Sequence, residues 1–216
     1  MSRRQAVSPK CISRLSLYGR LLSTGVGSTS GRVYSHELAR LAGVSAAQVR
    51  RDIMGLGCSG TPNTGYDVQA LGSIITEYIH TPEGQRVALV GVGNLGKAIL
   101  TYFSHGSKTR LRLVAAFDTA RDKTGRVLHG CRCHPMEEMS DVIRRENITV
   151  GIITVPADVA QQTADALINA GVTGILNCAP VALQVPARVY VENLDITIKL
   201  ETVAFFARSG RPQADG

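Results

Sequence analysis

Residues 87–96, Val-Ala-Leu-Val-Gly-Val-Gly-Asn-Leu-Gly, constrain this chain more than any other stretch. Four consecutive apolar residues suit a strand covered on both faces, and the glycines at 91, 93 and 96 then fall in the G-x-G-x-x-G spacing of a turn that opens a helix. Each glycine has its own reason: Gly91 permits the tight turn, Gly93 lets a pyrophosphate approach the backbone, and Gly96 lets the helix pack closely on the strand. The phosphates would meet unpaired amides at the positive end of the helix beginning at Asn94. Gly91, Val92, Gly93, Asn94, Leu95 and Gly96 are therefore candidate cofactor contacts, and the stretch reads as a dinucleotide site.

The downstream context fits that reading. A second apolar strand, residues 111–117, ends at Asp118, 22 residues after Gly96, where a carboxylate bonds ribose hydroxyls and favours NAD over its 2′-phosphorylated form. Arg121 lies close by and blurs the preference, because arginine is how such folds accept the extra phosphate. Further on, strands alternate with helices: a strand at 148–155 stopped by Pro156, a helix over 157–170 ended by Gly171, and strands at 173–177 and 189–192. Such alternation means a mostly parallel sheet with ligands at the strands' carboxyl ends, so Thr154, Val155, Pro156, Asn177, Cys178, Ala179 and Pro180 are expected on the nicotinamide side.

At 216 residues the chain has room for two small domains, and its charge is unevenly shared between them. Residues 1–80 hold nine Lys/Arg against four Asp/Glu, the remainder fifteen against thirteen, so the basic excess sits in the first third and points to an acidic partner such as nucleic acid. That third carries a helix over about 10–24 and then a helix-turn-helix pattern at 35–53. Ser35 is expected to cap a short helix ending at Gly43, and Ser45 with Gln48 matches a capping box for the next. Leu38, Ala42, Val44, Val49 and Ile53 would close a small core, leaving Ala46, Ala47, Gln48, Arg50 and Arg51 on outer faces. In the major groove, Gln48 would bond adenine and Arg50 or Arg51 guanine or phosphate. The glycine-rich segment 55–65 reads as a hairpin wing, followed by a helix from Asp67 that breaks at residues 81–84, the domain boundary.

No run approaches the length of a membrane helix and no secretory segment is present, so a cytoplasmic protein is expected. Five cysteines do not make a disulfide framework. Residues 131–134, Cys-Arg-Cys-His, read as a short edge strand whose spacing matches no standard zinc site, so no metal is expected. From Leu194 to Ala207 runs an apolar helix that the sheet does not need, and its surplus surface suits either a partner subunit or its own domain.

A helix-turn-helix reader ahead of a dinucleotide domain, together with particular motifs, resembles the Rex family of redox-sensing transcriptional repressors. The motifs are Ile12-Ser13-Arg14-Leu15, Gln48-Val49-Arg50-Arg51-Asp52, Gly65-Tyr66-Asp67-Val68, the Val90 to Gly96 turn, Thr154-Val155-Pro156, Gly174-Ile175-Leu176-Asn177 with Ala179-Pro180-Val181, and Val191-Glu192-Asn193. The resemblance implies an α/β chain with an N-terminal winged-helix DNA-binding domain (1–82), a Rossmann-type NAD(H)-binding domain (83–193), and a domain-swapped C-terminal helix and tail (194–216). It implies a homodimer on double-stranded, palindromic operator DNA, released when NADH replaces NAD. DNA contacts would come from Ser45, Ala46, Gln48, Arg50, Arg51 and the wing residue Thr61. Arg20, Tyr102 and Asp195 match the family's switch residues, and Ile196 the residue that reaches the partner's nicotinamide pocket. The chain departs from the family at Gly55-Leu56-Gly57, at Pro62 in place of a wing arginine, and at Cys178 in place of phenylalanine. Without a His or Tyr–Lys arrangement aimed at the nicotinamide face, a binding module is expected rather than an enzyme. The rivals are a small NAD-dependent oxidoreductase using His105 or His134 as proton donor, and a DNA-binding protein with a vestigial nucleotide fold.

Overall fold

The computed structural model describes residues 7–25, 31–58, 64–104 and 110–209. They form two compact units parted between Pro82 and Glu83.

In the first unit, α1 (Pro9–Ser23) begins with proline at its first position, where a missing amide costs nothing, and Ser8 accepts a hydrogen bond from the Cys11 amide. Then come β1 (Arg32–Val33), α2 (Ser35–Ala42), α3 (Ala46–Met54), β2 (Tyr66–Asp67) and α4 (Val68–Ile79). Gly43 takes the left-handed conformation (φ 66°) that lets α2 stop and α3 start almost at once. Leu15, Tyr18, Leu22, Leu38, Val49, Ile53, Leu71 and Ile75, from all four helices, make one buried core.

Three details differ from expectation. Ser35 is already inside α2, and Glu37 does the capping by accepting from the Tyr34 amide at 2.8 Å. Only half of the second capping box forms: Ser45 Oγ accepts from the Gln48 amide at 3.2 Å, but the Gln48 side chain turns to Asp52 instead. Ala46, expected outside, is partly buried against the core of this unit. β2 pairs antiparallel with β1, ahead of the helix-turn-helix, and residues 59–63 of the expected wing lie outside the described residues.

The second unit is a seven-stranded sheet of β3 (Gln85–Val90), β4 (Leu111–Asp118), β5 (Val127–Leu128), β6 (Cys131–Pro135), β7 (Val150–Ile153), β8 (Gly174–Asn177) and β9 (Tyr190–Asn193). Its order is β5-β6-β4-β3-β7-β8-β9, parallel throughout except for β5. The six parallel strands, taken in chain order, reproduce the 3-2-1-4-5-6 order of dinucleotide folds. Residues 131–134 are therefore not at the edge; β5, a two-residue strand that alternation was too short to reveal, covers them. Helices α5 (Asn94–Ser104), α6 (Met139–Arg145) and α7 (Ala157–Ala170) make the crossovers, and α7 ends at Gly171 with φ 116°. The sheet separates two cores, one around Phe117, Ile153 and Leu167, the other around Leu89, Leu100 and Cys133. The C-terminal α8 (Ile196–Ser209) is exposed at every position from 196 to 208.

Candidate functional site

The chain leaves β3 and passes through β4 and β6 on one side, then crosses to β7 on the other. This reversal opens a crevice at the strands' carboxyl ends, the place where such sheets bind ligands. A cavity of about 710 Å³ lies there, lined by Gly91, Gly93, Asp118, Thr154, Val155 and Pro156, all expected from sequence. The remaining lining was not expected: Thr119 and Lys123 after β4, Met136, Glu137 and Met139 after β6, and Val159, Gln162, Thr163 and Ala166 on α7. Positions 159, 162, 163 and 166 repeat at helical spacing from Pro156, a pattern visible in the sequence once that strand end is placed in the crevice.

The three glycines divide by what holds them to hydrogen. A Cβ on Gly96 would sit 2.1 Å from the Gly91 carbonyl oxygen, and one on Gly91 would sit 2.7 Å from the Thr154 carbonyl oxygen, at a φ of 93°. Thr154 closes this knot by donating its hydroxyl to the Gly91 carbonyl (2.6 Å), while its amide bonds Val90. Gly93 is different. A Cβ there meets nothing within 4 Å and its backbone is not left-handed, so the protein's own packing does not require glycine. It lines the cavity beside the first turn of α5, whose opening amides have no partner within the helix, so its bare backbone faces the cavity's contents.

Asp118 is more deeply engaged than a free ribose ligand. It is buried, one oxygen accepting from the Val92 amide (2.7 Å) and Lys123 Nζ (3.0 Å), the other from the Ala120 amide (2.8 Å). Burial pushes its pKa up, but the Ala120, Lys123 and Val92 hydrogen bonds outweigh it and hold the carboxyl below its ordinary value. It ties β4 to the glycine turn while still bordering the cavity. Val92 is buried; Asn94 and Leu95 are exposed on the first turn of α5.

The other candidates stand outside this cavity. Asn177 is fully buried, donating to the Val181 carbonyl and to Asn193 Oδ1 and accepting from the Ala179 amide, so it shapes the turn holding Ala179 and Pro180. Ile196 is exposed at the start of α8, and Asp195 accepts from the Thr197 and Ile198 amides there. Arg20 is exposed on α1 and Tyr102 on α5. His134 bonds Glu138 (2.9 Å) beside Phe117, away from the cavity lining, and His105 lies outside the described residues. All five thiols have pKa values raised, chiefly by burial, Cys131 to about 12, so none is a ready thiolate, and Cys178 packs into the core as a small filler. Among the described residues no cluster of three or more metal-ligating side chains occurs.

In the first unit, Ser45 caps α3 and Ala46, Gln48, Arg50 and Arg51 lie on it, with Arg50 and Arg51 exposed. Thr61 and Pro62 lie outside the described residues. Asp52, in the sequence only one residue of the Gln48–Asp52 motif, is the hub of this unit's polar contacts. Its buried carboxylate accepts from Arg14 Nε (2.6 Å) and Nη2 (2.8 Å), Tyr18 Oη (3.0 Å) and Gln48 Nε2 (2.8 Å), with the Cys11 thiol at 3.5 Å.

Fold and crevice thus define a class: a chain joining a helix-turn-helix unit to a doubly wound, nucleotide-type α/β unit. The comparisons agree. A family described as "Putative DNA-binding protein N-terminus" matches residues 6–53, and one described as "CoA binding domain" matches residues 83–181. The redox-sensing transcriptional repressor Rex of Ligilactobacillus salivarius (strain UCC118) is 41% identical over 193 residues, covering 89% of this chain and 90% of that protein. The Rex of Halalkalibacterium halodurans is 39% identical over 196 residues, 90% of this chain and 92% of its own. Among solved structures, RSP, described as a Rex-family repressor, is 32% identical; its complex with β-NAD+ and operator DNA superposes with a TM-score of 0.85 over 95% of this chain and 94% of RSP, and its complex with β-NADH with 0.82 over 95% and 96%. This chain belongs to the Rex family of redox-sensing transcriptional repressors.

Proposed function

We propose that this protein is a cytoplasmic, homodimeric repressor that holds operator DNA through its N-terminal unit when NAD occupies the crevice and releases it when NADH does. The observation that carries the reading is full-length likeness, both units included, to a repressor solved with β-NAD+ and operator DNA and again with β-NADH. The crevice fits a dinucleotide on its own terms, because Gly93 is glycine where only a ligand requires it. Its oxidised and reduced forms differ in ring charge and pucker, which is the signal such a ligand supplies.

The residues divide the work. Amides at 93–96 hold the pyrophosphate, those of Gly91 and Val92 being bonded to Phe117 and Asp118, and Asp118, already oriented by Val92 and Lys123, offers its remaining lone pairs to ribose. Met136, Met139, Val155 and Val159 supply apolar walls for the adenine face. Thr154 and Pro156 therefore border the adenosine half rather than the nicotinamide side, since they share the cavity with Asp118. The nicotinamide end falls to Asn177, Ala179, Pro180 and the Ile196 of the partner subunit. Ser45, Ala46, Gln48, Arg50, Arg51 and Thr61 face DNA, and Arg20, Tyr102 and Asp195 carry the switch. No helix of the described residues is long and apolar enough to cross a membrane.

The test is binding of the full chain to an operator duplex by fluorescence anisotropy across NADH-to-NAD ratios. Affinity falls as the NADH fraction rises; affinity that stays flat overturns the reading.

A further inference from the structure

We infer that Arg51 is the base-reading residue of α3, and that Gln48 and Asp52 are positioning residues that brace it. The inference rests on the DNA-reading function proposed above. A chain of hydrogen bonds runs from Arg14 through Asp52 to Gln48 and on to Arg51, whose Nη2 donates to Gln48 Oε1 at 2.8 Å. The neighbours fix the Gln48 amide. Its NH2 group must face the acceptor-only carboxylate of Asp52, and its oxygen must face the donor-only guanidinium of Arg51.

Two consequences follow from this arrangement. A glutamine reads adenine by turning its oxygen and NH2 together toward the base edge, and here one N–H is committed to buried Asp52 and one lone pair to Arg51, which holds the amide directed at those two partners. Arg51, exposed on the outer face of α3, spends one of five donors on Gln48 and keeps a planar fork whose direction is set, the geometry that pairs with guanine O6 and N7. Arg50 is exposed and has no such brace among the described residues, which suits a phosphate contact. The anchor at the far end is firm. Asp52 is buried with three further side chains on it, those of Cys11, Arg14 and Tyr18, so the brace is rooted in α1 and not in a mobile surface pair.

The experiment selects duplexes from a randomised double-stranded DNA library with the wild-type full chain, then measures affinities for the selected site and its single-base variants. Arg51→Lys keeps the charge and loses the fork. It should weaken binding to the selected site far more than to unselected DNA, lowering discrimination at one G·C position about tenfold or more. Gln48→Ala should flatten the same position, and the double variant should be no worse than either single one. Asp52→Asn, with its fold checked by circular dichroism, should lower the same ratio. A merely structural role would weaken selected and unselected duplexes alike, and that result overturns the inference. So does a loss at an A·T position in Gln48→Ala that Arg51→Lys leaves intact, or unchanged discrimination in both. A wild type that selects no sequence sinks the DNA-reading function itself, and this inference with it.

Discussion

Packing within the chain holds Gly91 and Gly96 to hydrogen but not Gly93, and the difference is measurable. Gly96→Ala forces a methyl against the Gly91 carbonyl and should cost about 3 kcal/mol or more of stability. Gly93→Ala should leave stability within about 0.5 kcal/mol, since nothing lies within 4 Å of the added methyl. Yet it should weaken dinucleotide binding about tenfold or more, about 1.4 kcal/mol. Thermal melting with NADH fluorescence titration separates the two effects, and equal affinity in Gly93→Ala contradicts the ligand argument. Asp52 makes a second prediction at this scale. Burial raises its pKa, but hydrogen bonds from Arg14, Gln48 and Tyr18 and the Arg14 charge hold it below the ordinary 3.8. A depressed carboxyl stabilises the fold above the unfolded value, and that contribution is lost as pH falls below about 4 through the folded value. Asp52→Ala should therefore destabilise the first unit by about 2–3 kcal/mol at pH 7, less than a fully buried pair because Arg14 keeps some access to water. The deficit relative to wild type should shrink in acid denaturant melts below pH 4. A deficit independent of pH would show that lost packing, not the carboxylate, is responsible.

Among the elements, α8 stands out. It is a 14-residue helix with Ile198 58%, Leu200 63% and Val203 64% exposed. Helices of that length are marginal in water on their own, and an apolar one with no buried face is more so. Packing on its own domain, one of the two alternatives left open by periodicity, is not what the structure shows. A second copy of the chain supplies the missing cover in the function proposed above. Leu200→Glu with Val203→Glu should convert a dimer to monomers in analytical ultracentrifugation while the seven-stranded sheet persists, because neither side chain is buried within the chain. Dimers that survive both charges would place the subunit contact elsewhere. The same scale shows what local patterning can and cannot reveal. Helices α1, α3, α4, α5 and α7 were legible from caps and apolar spacing, since those signals are local. The cap of α2 was misassigned because serine and glutamate both satisfy an orphan amide, and only the chain's path at Tyr34 decides between them.

At the level of the whole molecule, a ligand in one unit must alter DNA affinity in the other by a differential free energy, and linkage makes that reciprocal. If NADH lowers operator affinity by some factor, operator DNA must lower NADH affinity by the same factor. NADH fluorescence titration of the full chain with and without a saturating operator duplex checks this, and unequal factors would reveal a further linked equilibrium such as dimer dissociation. The basic excess in residues 1–80 predicts that DNA affinity falls steeply with salt while NADH affinity changes little.

The sequence by itself determined the main helices and longer strands, the place of the glycine turn, the acid that ends β4 and the helix-turn-helix, because propensity, capping and turn chemistry are written within a few residues of where they act. Only the tertiary structure decided which of those residues converge. Lys123, Met136, Met139 and the α7 face reach the crevice through strand order, and Arg14, Tyr18 and Gln48 meet at Asp52 through helix packing. For the same reason Asn177, a candidate at the nicotinamide end, also forms the buried centre of the turn that holds Ala179 and Pro180. Spacing along a chain specifies which face a side chain takes; the partners that meet it there come from residues dozens of positions away, and their arrival depends on how the sheet is ordered and the helices cross.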